Sequence, residues 1–328
     1  MANILVVGDG AIGLLFSHFL AKHHTVNILT KKGTLNTRFY SRGDAPCEKI
    51  NATFISQQQL TQAPEFDIVL FTVKAFAVQQ AYAQVKPYLG NNTHIVMSHN
   101  GMGNVEQLNP QLTKQQSLYF LTTSMAGFKS NPNIVQHTGN GQSVLGGCNQ
   151  LAMQNIQQLS AQLHTIPQLI VNNNIEQLRF EKLLVNIAIN PLTALYNIKN
   201  GQLRAPQYSS AIINLLTEAC HIATALKLNI KLIDALERAY MVMSLTAENY
   251  SSMHQDVMHN RQTEIMAICG YISEQGKRHN IATPYNDALL AEILAKKARN
   301  KSAHLGSVDF CGLQFVQTRG GLIAARGL

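Results

Sequence analysis

Apolar residues follow two patterns along this chain, and the change between them divides it. Through the first half they come in short, nearly unbroken runs at 3–7, 25–30, 51–56, 66–73, 93–97, 118–123 and 168–171. Such runs, bounded by polar or Gly-containing positions, predict buried strands. Between several of them the spacing turns helical, at 14–20, from Lys74-Ala75-Phe76 to about Leu89, and at about 150–164. Residues 139–147, Gly-Asn-Gly-Gln-Ser-Val-Leu-Gly-Gly, read as hairpin and loop. The alternation stops at Asn172-Asn173-Asn174, which reads as a linker. Beyond it the pattern is almost wholly helical, with long segments at 205–228, 231–247, 256–280 and 285 to about 299, punctuated by Asn200-Gly201 and Thr283-Pro284.

The first strand runs straight into Gly8-Asp9-Gly10-Ala11-Ile12-Gly13 and then a helix. Strand, G-x-G-x-x-G and helix in that order form the dinucleotide fingerprint. Gly8 allows the tight turn, Gly10 lets the backbone approach a pyrophosphate, and Gly13 lets helix and strand pack closely. The pyrophosphate then rests on the free N–H groups at the helix start. A Rossmann-type α/β domain over 1–172, followed by an all-helical domain over 173–328, is the expected organisation. After the second strand, where an acidic residue would serve the ribose hydroxyls of NAD, the chain has Lys31-Lys32. A cationic pair there suits the 2′-phosphate of NADPH. Lys74 and Asn100 each follow a strand, and ligands of open α/β sheets gather at the carboxyl ends of strands.

One helical segment, 179–194, is apolar except for a few polar positions. Lys182, Asn186 and Asn190 stand at i, i+4, i+8 and therefore share one helix face. Buried, such a row needs partners or a ligand; exposed, it would be an ordinary solvated stripe. Pro191 is expected to bend or end the helix just past Asn190.

Composition narrows the remaining options. Of 328 residues 46% are apolar, enough for a sizeable core, and only 13% are charged. The net charge of +8 suits anionic small molecules; there is no interleaved basic and aromatic pattern, so no nucleic-acid partner is expected. The five cysteines, Cys47, Cys148, Cys220, Cys269 and Cys311, have no metal-ligand spacing and read as free buried thiols of a reducing compartment. No basic N-terminal signal and no apolar run of membrane-spanning length is present, so a cytoplasmic protein is expected. The histidines, among them His99, His137, His254 and His259, read as surface or loop groups. Met241, Met243, Met253, Met258 and Met266 read as core filler.

Taken in order, the motifs identify a resemblance. G-D-G-A-I-G at 8–13, V-K-A-F at 73–76, H-N-G-M-G at 99–103, K-L-L-V-N-I-A-I-N-P-L-T-A at 182–194, N-G at 200–201, E-N-Y-S-S-M at 248–253 and R-Q-T-E-I at 261–265 resemble the ketopantoate reductase (2-dehydropantoate 2-reductase) family. The resemblance implies a Rossmann domain and a helical domain of the 6-phosphogluconate dehydrogenase C-terminal-like type, with NADPH and a small 2-oxo acid in the cleft between them. It implies a monomer or homodimer. By the same resemblance, Lys182 matches the catalytic lysine and Glu264 the carboxylate that completes the site. Asn100, Asn186, Asn190, Asn200, Asn249 and Ser252 match substrate-binding positions. Lys74, Asn100, Glu264 and Ala126 join the Gly8–Gly13 loop and Lys31 as cofactor contacts. Lysine at 31 stands where arginine is common, which weakens the expected selectivity for NADPH.

The residues suit that chemistry on their own terms. Hydride delivery to a ketone leaves a developing alkoxide, which needs a cation to stabilise and protonate it. Lys182 can be that acid, and a nearby Glu264 would favour its charged form. Without the resemblance, Glu264 would pair with Arg261, three residues earlier on one helix face, and Ser251-Ser252 would cap a helix. Two other readings remain open: reduction of another branched 2-oxo acid, and a dinucleotide-binding sensor without turnover.

Overall fold

The computed structural model describes residues 1–30 and 37–303. Asn3–Val7 forms strand β1, and its apolar run is buried on both faces: Ile4 and Val6 enter one core, Leu5 and Val7 another. That is why the run is continuous rather than alternating. Helix α1 (Ala11–Leu20) follows, then β2 (Thr25–Leu29), β3 (Phe39–Arg42), β4 (Glu48–Lys49) and β5 (Thr53–Ile55). The chain next crosses to the other side of β1 for β6 (Ile68–Phe71), α2 (Val78–Val85), β7 (His94–Met97), α3 (Asn104–Leu108) and β8 (Ser117–Thr123). β9 (Ala126–Asn131), β10 (Ile134–Gly139), β11 (Ser143–Gly147), α4 (Gln150–Gln162) and β12 (Leu169–Val171) complete the sheets.

The main sheet has the order β12-β11-β8-β7-β6-β1-β2-β5. Strand order reverses between β1 and β6, so the loops after β1, β6 and β7 open onto one crevice, where such sheets bind ligands. A second sheet, β4-β3-β10-β9, packs against α1.

From Ile175 the described chain is helical: α5 (Ile175–Tyr196), α6 (Ser209–Ala225), α7 (Leu232–Leu245), α8 (Ser252–Met258), α9 (Cys269–His279) and α10 (Pro284–Ala303). α5 is the axis, in contact with α6, α7, α8 and α10. Among the described residues no helix is long and apolar enough to cross a membrane.

Several expectations fail for identifiable reasons. Of the two outcomes expected at Pro191, a bend or an end, the end does not occur: α5 continues to Tyr196. Proline costs one backbone hydrogen bond, and packing of a buried helix against four others outweighs that loss. The helix ends instead at Asn197, in the left-handed conformation, and Lys296 Nζ supplies donors to the Ala194 and Leu195 carbonyls. The expected helix over 256–280 is two helices. Asn260 at φ 53° breaks it, and 261–264 forms a loop before α9. Ser143–Gly147 is not loop but a buried strand, antiparallel to β8. Its glycines are needed for space: a Cβ on Gly146 would stand 2.2 Å from the Ile175 Cβ, and one on Gly147 2.8 Å from the Met153 nitrogen. His137 and His254 are buried, not superficial. Met241, Met258 and Met266 are exposed, leaving only Met243 and Met253 as core filler. Cys47 is exposed as well. Lys31, Lys32, Cys311 and the Gly-rich stretch after 310 lie outside the described residues.

Candidate active site

The fingerprint loop joins β1 to α1 at the crevice. Gly8 has φ +115°, a conformation that favours glycine. A Cβ on Gly13 would stand 2.2 Å from the Gly8 carbonyl oxygen and 2.5 Å from Thr72 Oγ1, so helix and strand meet only through glycine. At Gly10 a Cβ would meet nothing within 4 Å. Gly10 caps α1 with no side-chain hydrogen bond, so no side chain occupies the helix start at that point, where the first N–H groups of a helix lack partners within it. These features fit a pyrophosphate. Asp9 lies 3.8 Å from Arg38 and 3.9 Å from Lys129, whose Nζ also donates to the Asp9 carbonyl. Ala126 is exposed at the start of β9.

Across the crevice, α5 presents its polar row. Lys182 and Asn186 line a small cleft together with His99, Asn100, Gly101, Phe120 and Thr122. Lys182 Nζ donates to Thr122 Oγ1 at 3.2 Å and to the Thr123 carbonyl at 2.9 Å, which fixes the ammonium at the end of β8. Burial pulls the Lys182 pKa down to about 8; Glu264 acts to raise it and Arg179 lowers it further. The ammonium is therefore far more acidic than an exposed lysine. His99 is held near 3 by burial and by Arg179, so its imidazole is neutral.

Glu264 is 5% exposed and receives three donors from the sheet side: the Ala75 N–H at 3.0 Å, Asn100 Nδ2 at 3.3 Å and Lys74 Nζ at 3.4 Å. It does not pair with Arg261, which instead binds Asp256 at 2.9 Å. Asp256 also takes Lys74 at 2.9 Å. Burial alone would lower the Lys74 pKa, but Glu264 and Asp256 together raise it. Asp256, buried on α8, and Arg179, on α5, are the residues that reading the sequence missed. Arg179 stands at i−3 from Lys182, a spacing that places both on one face. Asp256 carried no such signal, because its partner Lys74 is 182 residues away.

Not every expected residue reaches the cleft. Asn190, one turn beyond Asn186, is buried at 8% exposure. Asn200 donates through Nδ2 to Thr246 Oγ1, and its backbone N–H binds the Asn249 carbonyl. Asn249 and Ser252 have exposed side chains. Ser251, not Ser252, caps α8, accepting from the His254 N–H and from Thr193 Oγ1 of α5. None of Asn190, Asn200, Asn249 and Ser252 is among the residues that line the small cleft at Lys182.

A doubly wound sheet with an open glycine loop at its switch point, faced by a half-buried lysine on a helical domain, defines a Rossmann-type oxidoreductase fold. Comparison with known proteins gives the family. The family model described as ketopantoate reductase PanE/ApbA matches residues 4–150, and its C-terminal counterpart matches 174–297. The 2-dehydropantoate 2-reductase of Vibrio cholerae serotype O1 is 36% identical over 292 residues, covering 89% of this chain and 96% of the relative. The crystal structure of a probable 2-dehydropantoate 2-reductase from Bacillus subtilis superposes with a TM-score of 0.77 at 27% identity, over 90% of this chain and 99% of that one. A D-mandelate dehydrogenase solved with NADH and anilino(oxo)acetate shares the fold, with a TM-score of 0.82 at 20% identity over 91% of this chain and 99% of that one. The chain belongs to the ketopantoate reductase family.

Proposed function

We propose that this protein reduces 2-dehydropantoate to (R)-pantoate with NADPH, in the cytoplasm, through residues 1–172 as cofactor domain and 173–328 as substrate domain. The observation that carries the reading is the half-buried Lys182 ammonium, held at the cleft beside Asn100 and Asn186. The cofactor supplies a hydride to the 2-oxo carbon. Lys182 holds a proton at Nζ and transfers it to the carbonyl oxygen as negative charge develops there. Thr122 and the Thr123 carbonyl orient that ammonium. Gly8, Asp9, Gly10, Ala11, Ile12 and Gly13 would hold the pyrophosphate and Lys31 the 2′-phosphate, with Lys74, Asn100, Ala126 and Glu264 as further cofactor contacts. Glu264 is also the second catalytic residue, favouring the charged form of Lys182 and able to accept from a substrate hydroxyl. Asn100 and Asn186 in the cleft, joined by Asn190, Asn200, Asn249 and Ser252 from outside its present lining, supply neutral donors for the substrate's carboxylate and both donors and acceptors for its hydroxyl.

The test is loss of NADPH absorbance with 2-dehydropantoate, run beside a panel of other 2-oxo acids and beside NADH. Turnover should be highest with 2-dehydropantoate and NADPH. A better substrate in the panel would reassign the specificity, equal kcat/KM with NADH would remove the assignment of Lys31, and binding of NADPH without any turnover would favour the sensor. The glycine loop has its own check. Gly13→Val should raise the Kd for NADPH by at least about tenfold, because a helix start displaced from β1 loses its hydrogen bonds to phosphate, each worth about 1.5–3 kcal/mol when charged. Unchanged fluorescence titration of NADPH would contradict the loop's role.

A further inference from the structure

Arg179 lines the same cleft as Lys182 and has no part in the reaction described above. Its residue is 6% exposed, and its guanidinium lies 3.7 Å from the centroid of the Phe120 ring. Nη2 donates to the Gly101 carbonyl at 3.2 Å, while Nε is buried with no hydrogen-bond partner. Among the described residues no carboxylate lies within 4 Å of it; Glu106 and Glu176 act on it only from farther away. Burying an ion without an ion-pair partner costs several kcal/mol, and one carbonyl and one aromatic face offset only part of that. A second cation, Lys182, stands three residues along the same helix face. Neither carboxylate of the crevice is bonded to them: Asp256 is held by Arg261 and Lys74, and Glu264, which acts on Lys182 only from a distance, by Lys74, Ala75 and Asn100. The cleft therefore carries surplus positive charge before any ligand arrives.

We infer that Arg179 is the binding residue for the carboxylate of the 2-oxo acid, with Lys182 left for the ketone oxygen. The assignment rests on the reaction proposed above and deepens it. A guanidinium presents a rigid fork of donors that matches a carboxylate, which an amide row cannot do with comparable strength. Phe120 holds the plane of that fork and the Gly101 carbonyl holds one edge, so the group is ordered in advance and loses little side-chain entropy on binding. Its i−3 position from Lys182 brings carboxylate and ketone recognition onto one turn of α5, and the carboxyl and keto carbons of a 2-oxo acid are directly bonded. The competing source of negative charge is a cofactor phosphate, and the competing role is a clamp on the Gly101 loop.

The test compares 2-dehydropantoate with its lactone, which keeps the 2-oxo carbon and lacks the ionised carboxylate. In Arg179→Gln, kcat/KM for the acid should fall by about 30-fold or more, the loss that follows removal of one partner of a buried charge pair. The lactone should change by less than about threefold and the Kd for NADPH should not change. Arg179→Lys, which keeps a cation and is the safer variant for folding, should lie between the two with an unchanged Tm. Equal losses for acid and lactone would make Arg179 a positioning residue for the Gly101 loop and overturn the assignment. A raised Kd for NADPH with an unaltered acid-to-lactone ratio would overturn it in favour of phosphate. Failure of the wild-type protein on every 2-oxo acid would instead sink the reaction, which is a separate and visible outcome.

Discussion

Lys182→Ala should lower kcat for ketone reduction by roughly 10²–10⁴-fold, the range expected for loss of a general acid, while the Kd for NADPH stays within about threefold. The separation follows from geometry. Lys182 Nζ is bonded to Thr122 and Thr123 at the end of β8, whereas the glycine loop that receives the pyrophosphate lies between β1 and α1. Because burial brings the Lys182 pKa to about 8, the pH profile of the free protein gives a second readout. Reduction needs the protonated amine, so kcat/KM should be level below about pH 8 and decline about tenfold per unit above it. Oxidation of the alcohol needs the neutral amine and should rise through the same point. Stability follows the same group with the opposite demand. Below about pH 8 folded and unfolded chains both hold the proton, and the folded chain carries the whole desolvation penalty. Between about 8 and the ordinary lysine value of 10.5 the unfolded chain binds more protons, so this contribution improves as pH rises. The stability of wild type relative to Lys182→Met should therefore improve by on the order of 2–3 kcal/mol across that window. A gap independent of pH would mean that Lys182 is not desolvated, and near-native turnover by Lys182→Ala would end its role as the acid.

What could be read from the sequence is what depends on neighbouring residues. The strand, glycine loop and helix of residues 3–20 are specified within one short stretch, and so is the Lys182–Asn186 spacing on α5. The second sheet could not be read in the same way. β3 and β4 are short and mostly polar, β9 is largely exposed, and β3 pairs in parallel with β10, some 95 residues later. The identity of Glu264's partner depends equally on distance: Lys74 and Ala75 precede it by about 190 residues, while the local candidate Arg261 is drawn away by Asp256. Ser143–Gly147 deceived for a related reason. Gly146 and Gly147 look like turn residues, yet they are small because Ile175 and α4 press on that strand. Pro191 deceived through a local rule that packing overrides. In each case the deciding atom belongs to another part of the chain.

Glu264→Gln should lower kcat/KM by about 10²-fold and move the basic limb of the reduction profile below pH 8. The carboxylate accepts from the Ala75 N–H, Asn100 and Lys74 at once. An amide has one accepting oxygen, and its NH₂ would face donors. It also loses the charge that raises the Lys182 pKa, so the acid would be deprotonated at lower pH. Lys74 keeps Asp256, and its side chain is 40% exposed, so the stability loss should be nearer about 1–2 kcal/mol than the 3–5 kcal/mol typical of a fully buried broken pair. Two explanations of the rate loss then separate by a double-mutant cycle with Lys74→Met. If Glu264 acts only by drawing the loop after β6 toward the 261–264 loop through Lys74, the second substitution should add nothing in the Lys74→Met background, and the limb should stay where that background leaves it. If Glu264 acts on Lys182 through its charge, the acid shift of the limb should persist in full when Lys74 is gone. The second outcome is the expected one, because Ala75 and Asn100 hold the carboxylate in place without any help from Lys74, and its field at Lys182 does not depend on the latch.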